Sequence, residues 1–377
     1  MIYLDHAATS PPRREVLEAV WPYLTQVTGN PSSAHEAGRA AKSGLDSARA
    51  GIAQVLGCRP GEVVLTGGGT EADNLAVTGI ATAAPRGRHV VVSAIEHPAV
   101  LETARALARQ GFRVDEVGVD EFGVVDLEQL ERLVDDGTAL VSVMLANNEI
   151  GTVQPLAEVS RLCRAHGVPL HTDAVQAAGH LSLDVDALGV DALSLSAHKF
   201  GGLRGCGALF VRGSVPLEPL MHGGGQELGR RSGTVDVAGA VGTAVALGLA
   251  EAAREEETAR LGALRDRLVS GVLAAVAGAR LTGHPVQRLA HHASFCFPGV
   301  GGETVLAELE AAGVVCSSGS ACSAGSEDAS HVLLATGLDA DAARTAVRFS
   351  MGPGTTAQDV EEVLRVLPAA VRAAAGA

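Results

Sequence analysis

A chain of 377 residues with a formal net charge of -14 repels a polyphosphate backbone, so direct nucleic-acid binding is not expected. Apolar residues make up 47% of it and charged residues 19%, proportions that exclude an intrinsically disordered chain. Aromatic residues reach only 3%, which leaves few rings to stack on bases, and the length suits one large domain with a smaller one.

In chain order, the first ten residues (MIYLDHAATS) have neither a basic start nor an apolar run, so no secretory signal is expected. From residue 34, Ala37, Ala41, Leu45, Ala48, Ile52 and Leu56 recur at spacings of three and four, predicting a helix that Gly57 closes. Short β-rich runs follow at 63–66, 89–93, 140–145, 168–172, 192–196 and 208–211, with helical patterns between them at 71–83, 100–110 and 157–166. Strands alternating with helices predict an α/β domain with a mainly parallel sheet, in which ligands bind beyond the carboxyl ends of the strands. Past Gly233 a long helical region carries the run REEE at 254–257, read as a solvated face. A second unit follows, with strands at 293–297 and 346–350 and helices near 303–312 and 357–374. The longest weakly polar stretch, 239–250, is shorter than the ~20 residues a membrane span needs, so no membrane span and a cytoplasmic location are expected.

The chemically suggestive residues fall just after the strand-like runs. The loop Thr66–Asn74 (TGGGTEADN) has a strand before it and a helix after it, which suits an anion at the helix start. Gly67, Gly69 and Ala72 also fit G-x-G-x-x-A with Glu96 near the distance of a dinucleotide-binding acid, so this segment alone does not separate a nicotinamide site from a monophosphate site. Lys199 follows an apolar run directly, where a Schiff base with an aldehyde cofactor would remove the cost of burying an ammonium; by itself it reads as a lysine snorkelling to solvent. Asp173 could keep a pyridine nitrogen protonated or cap the next helix. His171, Asp173 and His198 imitate an iron-binding H-x-D…H pattern, which leaves Lys199 unexplained. Pro98 suits a first helical turn, so His97 is expected just before a helix, facing a ligand. The pair His291-His292 is expected in an exposed loop. Six cysteines, Cys58, Cys163, Cys206, Cys296, Cys316 and Cys322, include no C-x-x-C pair, so neither zinc knuckle nor disulfide framework is expected. Cys316 reads as structural. Cys322 stands in a stretch of small, polar residues that cannot pack a core, and a mobile, reactive thiol is the expectation there.

Taken together and in this order, TGGGTEADN, EHP, NNEIG, HTDAVQ, SAHK, RSGT, SSGSAC and VRFS resemble the cysteine desulfurases, a group of the class V aminotransferases. The likeness runs from Tyr3 to about Gly352. It implies an α/β fold of the pyridoxal-phosphate (PLP) fold type I class: a large domain, 15–255, with a mainly parallel mixed sheet flanked by helices, and a smaller α+β domain from 1–14 and 256–377. It implies pyridoxal 5'-phosphate as cofactor, held by Lys199, with Asp173 on the pyridine nitrogen and His97 on the ring. Asn148 and Gln176 would meet the pyridoxal oxygen side, and Gly69, Thr70, Ser196 and His198 the phosphate. Thr234 would reach the phosphate of a neighbouring subunit, which implies a homodimer. Arg348, with Asn148, would bind the substrate carboxylate. L-cysteine would become L-alanine, with Cys322 taking the sulfur as a persulfide for a protein acceptor in iron–sulfur cluster assembly or another thiolation. Another PLP-dependent aminotransferase or lyase, and a catalytically silent sulfur-pathway scaffold, are the alternatives.

Overall fold

The computed structural model describes residues 1–319 and 329–375. The N-terminal stretch gives β1 (Ile2–Tyr3), α1 (Arg14–Thr25) and α2 (Glu36–Leu56). The central region alternates β2 (Val63–Thr66), α3 (Gly69–Ala83), β3 (His89–Ser93), α4 (Pro98–Arg109), β4 (Arg113–Val117), α5 (Leu127–Leu133) and β5 (Thr138–Ser142). It continues with α6 (Leu156–Ala165), β6 (Leu170–Asp173), α7 (Val185–Leu188), β7 (Ala192–Ser196) and β8 (Gly207–Val211). After α8 (Val237–Ala275) come β9 (Arg280–Leu281), β10 (His292–Cys296), α9 (Gly302–Ala311) and β11 (Val314–Val315). The last elements are α10 (His331–Ala335), α11 (Ala340–Ala343), β12 (Ala346–Ser350) and α12 (Ala357–Ala375).

Among the described residues, β2 to β8 make one seven-stranded sheet in the order β2-β8-β7-β6-β5-β3-β4, with β8 antiparallel to both neighbours and the other pairings parallel. Both faces are covered. Val63 and Leu65 enter the core built with α2 and α8, while Val64 between them enters the core built with α3 and α4. Crossover helices on both faces leave the carboxyl ends of β2, β3, β5, β6 and β7 on one edge, so the loops that follow them meet. The expected strands at 63–66, 89–93, 192–196 and 346–350 form as read, and the others shift by one to three residues. Gly57 closes α2 in the left-handed conformation (φ 68°), its amide donating to Ala53 and Gln54 carbonyls.

A separate core joins Leu4, the later part of α8 from Leu261, β10, β12, α9 and α12. Here β10 lies between β12 and β9, antiparallel to both. The N-terminal segment completes this unit: β1 pairs with β11, and Asp5 bridges to Ser350. Helix α8 is long and apolar enough to cross a membrane, which the stretch 239–250 did not suggest, but half of its most apolar window is buried and it packs along α1 and α2 as a core helix. His291 and His292 correct the exposed-loop expectation: both are buried, His291 stacked on His180 at 3.6 Å and His292 Nε2 donating to the Asn148 carbonyl (3.2 Å).

Candidate active site

The loops after β2, β3, β5, β6 and β7 enclose a cavity of about 490 Å³. Gly69, Thr70, His97, Asn148, Asp173, Gln176, Ser196, His198, Lys199 and Arg348 all line it, so ten of the expected site residues are brought together from six separate segments. Thr234 is apart from them. It lines a small adjoining hollow beside Thr66, Gly67 and Gly205, on the other side of the glycine loop.

The floor is built from groups whose charged forms burial disfavours. Asp173, at the end of β6, accepts the Val175 amide at Oδ1 (2.8 Å); burial raises its carboxyl, and His97 and Lys199 act to lower it. Asp73 on α3 is buried beside it with Oδ1 unpartnered, and burial, then the charge of Asp173, raises it as well. His171 spends both ring nitrogens on Ser142 (2.8 Å) and Ser194 (2.9 Å), and burial pushes it down to about 3. Its ring is therefore a neutral strut beneath the floor, not a metal ligand, and the described residues hold no cluster suited to a metal. Glu96 accepts Ser93 Oγ and the Met144 amide at Oε1 (2.6 and 2.7 Å), and burial pushes it up to about 8. A carboxyl sealed in this way cannot reach a ribose, which removes the dinucleotide reading of the glycine loop.

The walls carry the groups that face the cavity. His97 precedes α4 as expected, and its Nδ1 accepts the Ala99 amide (3.1 Å), which leaves the proton on Nε2. Burial pushes His97 below the ordinary histidine range, so the ring is neutral at pH 7. Lys199 ends a single turn of 3-10 helix after β7, and its amine donates to the carbonyls of Ala7 (2.6 Å) and Ala8 (3.0 Å). Gln176 donates to the Ala7 carbonyl (2.9 Å), and His198 Nδ1 meets Thr9 Oγ1 at 3.1 Å. Burial pushes His198 down to about 4, helped by the charges of Lys199 and Arg204.

At the entrance to α3, Gly68 supplies no side-chain cap, so the first-turn amides are left for another acceptor. A Cβ on Gly69 would stand 2.8 Å from Val175 Cγ2 and 3.2 Å from Ser196 Cβ, so the backbone passes where a side chain would have to displace its neighbours. Arg348 on β12 is 1% exposed; its Nη1 donates to the carbonyls of Asn148 (2.9 Å) and Gly319 (3.0 Å), and its Nη2 to Asp5 Oδ1 (2.7 Å).

Cys322 lies outside the described residues. Cys316 does not: it follows β11, and burial pushes its thiol up to about 12, in keeping with a structural role. Sequence reasoning gave no role to Asp5, to the Ala7 and Ala8 carbonyls, or to Asp73, Glu149, Arg204 and His331, all in or against the cavity. The segment Tyr3–Thr9 was visible only as one end of a family likeness, because its partners lie far along the chain.

Residues 2–363 match the family described as aminotransferase class-V. The chain is 45% identical over 372 residues to cysteine desulfurase IscS of Methanosarcina thermophila, spanning 98% of this chain and 92% of that protein. Its structure resembles one titled NifS-like protein, with a TM-score of 0.91, 38% identity and 98% of both chains covered. It also resembles SspA in complex with cysteine, with a TM-score of 0.82, 34% identity, and 94% of this chain and 100% of the other covered.

Proposed function

The chain belongs to the class-V aminotransferase family and is a cysteine desulfurase, and from that premise we propose how its own residues hold pyridoxal 5'-phosphate and move sulfur from L-cysteine. The supporting observation is the convergence on one cavity of Lys199, Asp173, His97 and Arg348.

The residues present fit the cofactor. An anion at the uncapped start of α3 would accept its first-turn amides, with Thr70, Ser196 and His198 around it. A protonated ring nitrogen above Asp173 would offset the cost of burying that carboxylate. His97, neutral and fixed by the Ala99 amide, offers a flat face and an Nε2 proton. Asn148 and Gln176 stand on the remaining side. When bound, pyridoxal phosphate supplies an electron sink for the substrate α-carbon.

Lys199 would anchor the cofactor covalently, and its amine, when freed, would take the substrate α-proton and return it. Arg348 and the Asn148 side chain bind the substrate carboxylate, which fixes the side chain's direction. The Cys322 thiolate attacks the substrate sulfur: a sulfur–sulfur bond forms, the carbon–sulfur bond breaks, and a proton completes L-alanine. The products are L-alanine and the Cys322 persulfide, with no external oxidant needed. A protein acceptor, scaffold or sulfurtransferase, then takes the sulfur for iron–sulfur assembly or another thiolation. Thr234 reaches the phosphate of a second copy in a homodimer. A cytoplasmic setting goes with this reading, since a reducing compartment keeps the Cys322 thiol unoxidised and able to attack.

The test is L-alanine formation from L-cysteine in the presence of a thiol reductant. Lys199→Ala and Cys322→Ala should each lower turnover at least ~1000-fold, as expected when a nucleophile is removed. Cys322→Ala should keep the visible absorbance of the bound cofactor and Lys199→Ala should lose it. Desulfuration at full rate by Cys322→Ala would overturn the persulfide step.

A further inference from the structure

Arg348 is a planar fork with five N–H donors, and their allocation is unequal. Both Nη1 protons go to main-chain carbonyls, those of Asn148 and Gly319, and one Nη2 proton goes to Asp5 Oδ1. The Nε–H is buried and has no partner among the described residues. Two donors therefore remain, Nε–H and the second Nη2–H, on atoms that share one edge of the guanidinium and match the two oxygens of a carboxylate.

What keeps that edge available is the way Asp5 is fixed. Its backbone bridges to Ser350, two residues beyond Arg348 on β12, and the His6 amide donates to the Ser350 carbonyl (3.2 Å). The Ala7 amide donates to Ser350 Oγ (2.8 Å), and Tyr3 Oη donates to the Asp5 carbonyl (3.1 Å). Asp5 thus cannot swing around the guanidinium. Its carboxylate, with a side chain 18% exposed, meets Nη2 and leaves Nε untouched.

We propose that Asp5 is a positioning residue of the substrate site: it fixes the plane of Arg348 so that the Nε edge receives the α-carboxylate of the amino-acid substrate. This rests on the reading of Arg348 as the carboxylate-binding group. The chemistry selects α-amino acids over amines. With Asp5 removed, the guanidinium keeps its charge but loses the side-chain contact that, among the described residues, sets its rotation, so ligands with a carboxylate suffer and those without it do not.

The experiment uses the full-length, cofactor-loaded enzyme. Asp5→Ala should raise KM for L-cysteine ~10-fold or more with kcat changed less than ~3-fold, the size expected for one charge-assisted hydrogen bond. Asp5→Asn, which keeps an oxygen acceptor at the same place, should recover most of that loss. By calorimetry, L-alanine should bind Asp5→Ala more weakly, while ethylamine, its counterpart without the carboxylate, should bind as it does to the parent protein. Equal weakening of both ligands would make Asp5 a general structural element, and a lower KM would make it an internal competitor for Arg348; either overturns the proposal. If Asp5→Ala does not fold, Asp5→Asn carries the test: a KM raised as much as in Arg348→Ala would show that the acceptor oxygen is not what matters. Arg348→Ala separates the two readings. If it leaves KM for L-cysteine unchanged, the carboxylate assignment fails with Asp5; if it raises KM and neither Asp5 variant does, only the Asp5 assignment fails.

Discussion

Arg288 and Arg348 are both deeply buried, yet the turn around Arg288 closes on its guanidinium while the wall around Arg348 leaves an edge open. Arg288 donates to the carbonyls of His292 (3.2 Å), Thr282 (3.3 Å), His284 (3.4 Å) and Ile150 (3.1 Å), with no carboxylate partner among the described residues. Burial pushes it down to about 10, so it remains a cation at neutral pH and staples the 282–292 turn to the turn that carries Asn148. Arg348 donates to the Asn148 carbonyl of that turn but is countered by Asp5 and keeps its Nε edge unpaired among the described residues. The lesson is that a buried arginine whose donors end on main-chain oxygens is structural, and one with an edge in reserve is built for a ligand.

The sharpest way to break this contrast is to remove each group in turn. Arg288→Ala should cost about 3 to 5 kcal/mol of stability, because several buried carbonyls lose their donor together, while the folded fraction keeps a near-normal KM. Urea unfolding and steady-state kinetics on one preparation check both halves. Arg348→Lys should show the opposite pattern: KM for L-cysteine up ~30-fold, since an ammonium cannot present two parallel donors, with stability changed by about 1 kcal/mol or less. If Arg348→Lys unfolds the protein while binding cysteine normally, the contrast is wrong.

Glu96 extends the comparison to the acid side: Ser93 and the Met144 amide hold its Oε1, while its Oε2 is buried with no partner among the described residues. In the folded chain it keeps its proton to about pH 8, whereas unfolding returns it towards its ordinary value of 4.5. Between those limits the folded state binds the extra proton, so the parent protein loses stability as pH rises through the window. Glu96→Gln carries no such titration. Its stability relative to the parent should therefore climb with pH between 5 and 8, by on the order of 1 kcal/mol per pH unit. A difference independent of pH would mean that Glu96 ionises freely.

The central strands were legible because a sheet covered on both faces demands unbroken apolar runs, as in His89–Ser93 and Ala192–Ser196. The edge strand Arg113–Val117 was missed for the converse reason: RVDEV lies at the rim, where charged side chains are tolerated and the apolar signal disappears. Helix α1 was missed because Pro22 lies inside it and Leu17, Trp21 and Leu24 face outward, which blurs the expected stripe. Within the site, Lys199, Asp173 and His97 announced themselves by following apolar runs. Asp5 did not, since nothing near it in sequence tells of an arginine 343 residues away. His291 and His292 misled for a similar reason, their burial being set by His180 and Asn148 from another part of the chain.

That same separation dictates when the site can exist. Synthesis delivers the Asp5 segment early and β12 only after another 343 residues, roughly 20 to 70 s later at elongation rates of about 5 to 20 residues per second. Within that interval β1 waits for β11, and the carbonyls of Ala7 and Ala8 wait for Lys199. A nascent chain that stops before Ser350 can already possess the sheet and the glycine loop, yet it has no socket for an amino acid. The ribosome thus releases no half-made desulfurase able to start the reaction. Competence to handle sulfur arrives in one late step, when the beginning of the polypeptide is finally clasped by its end.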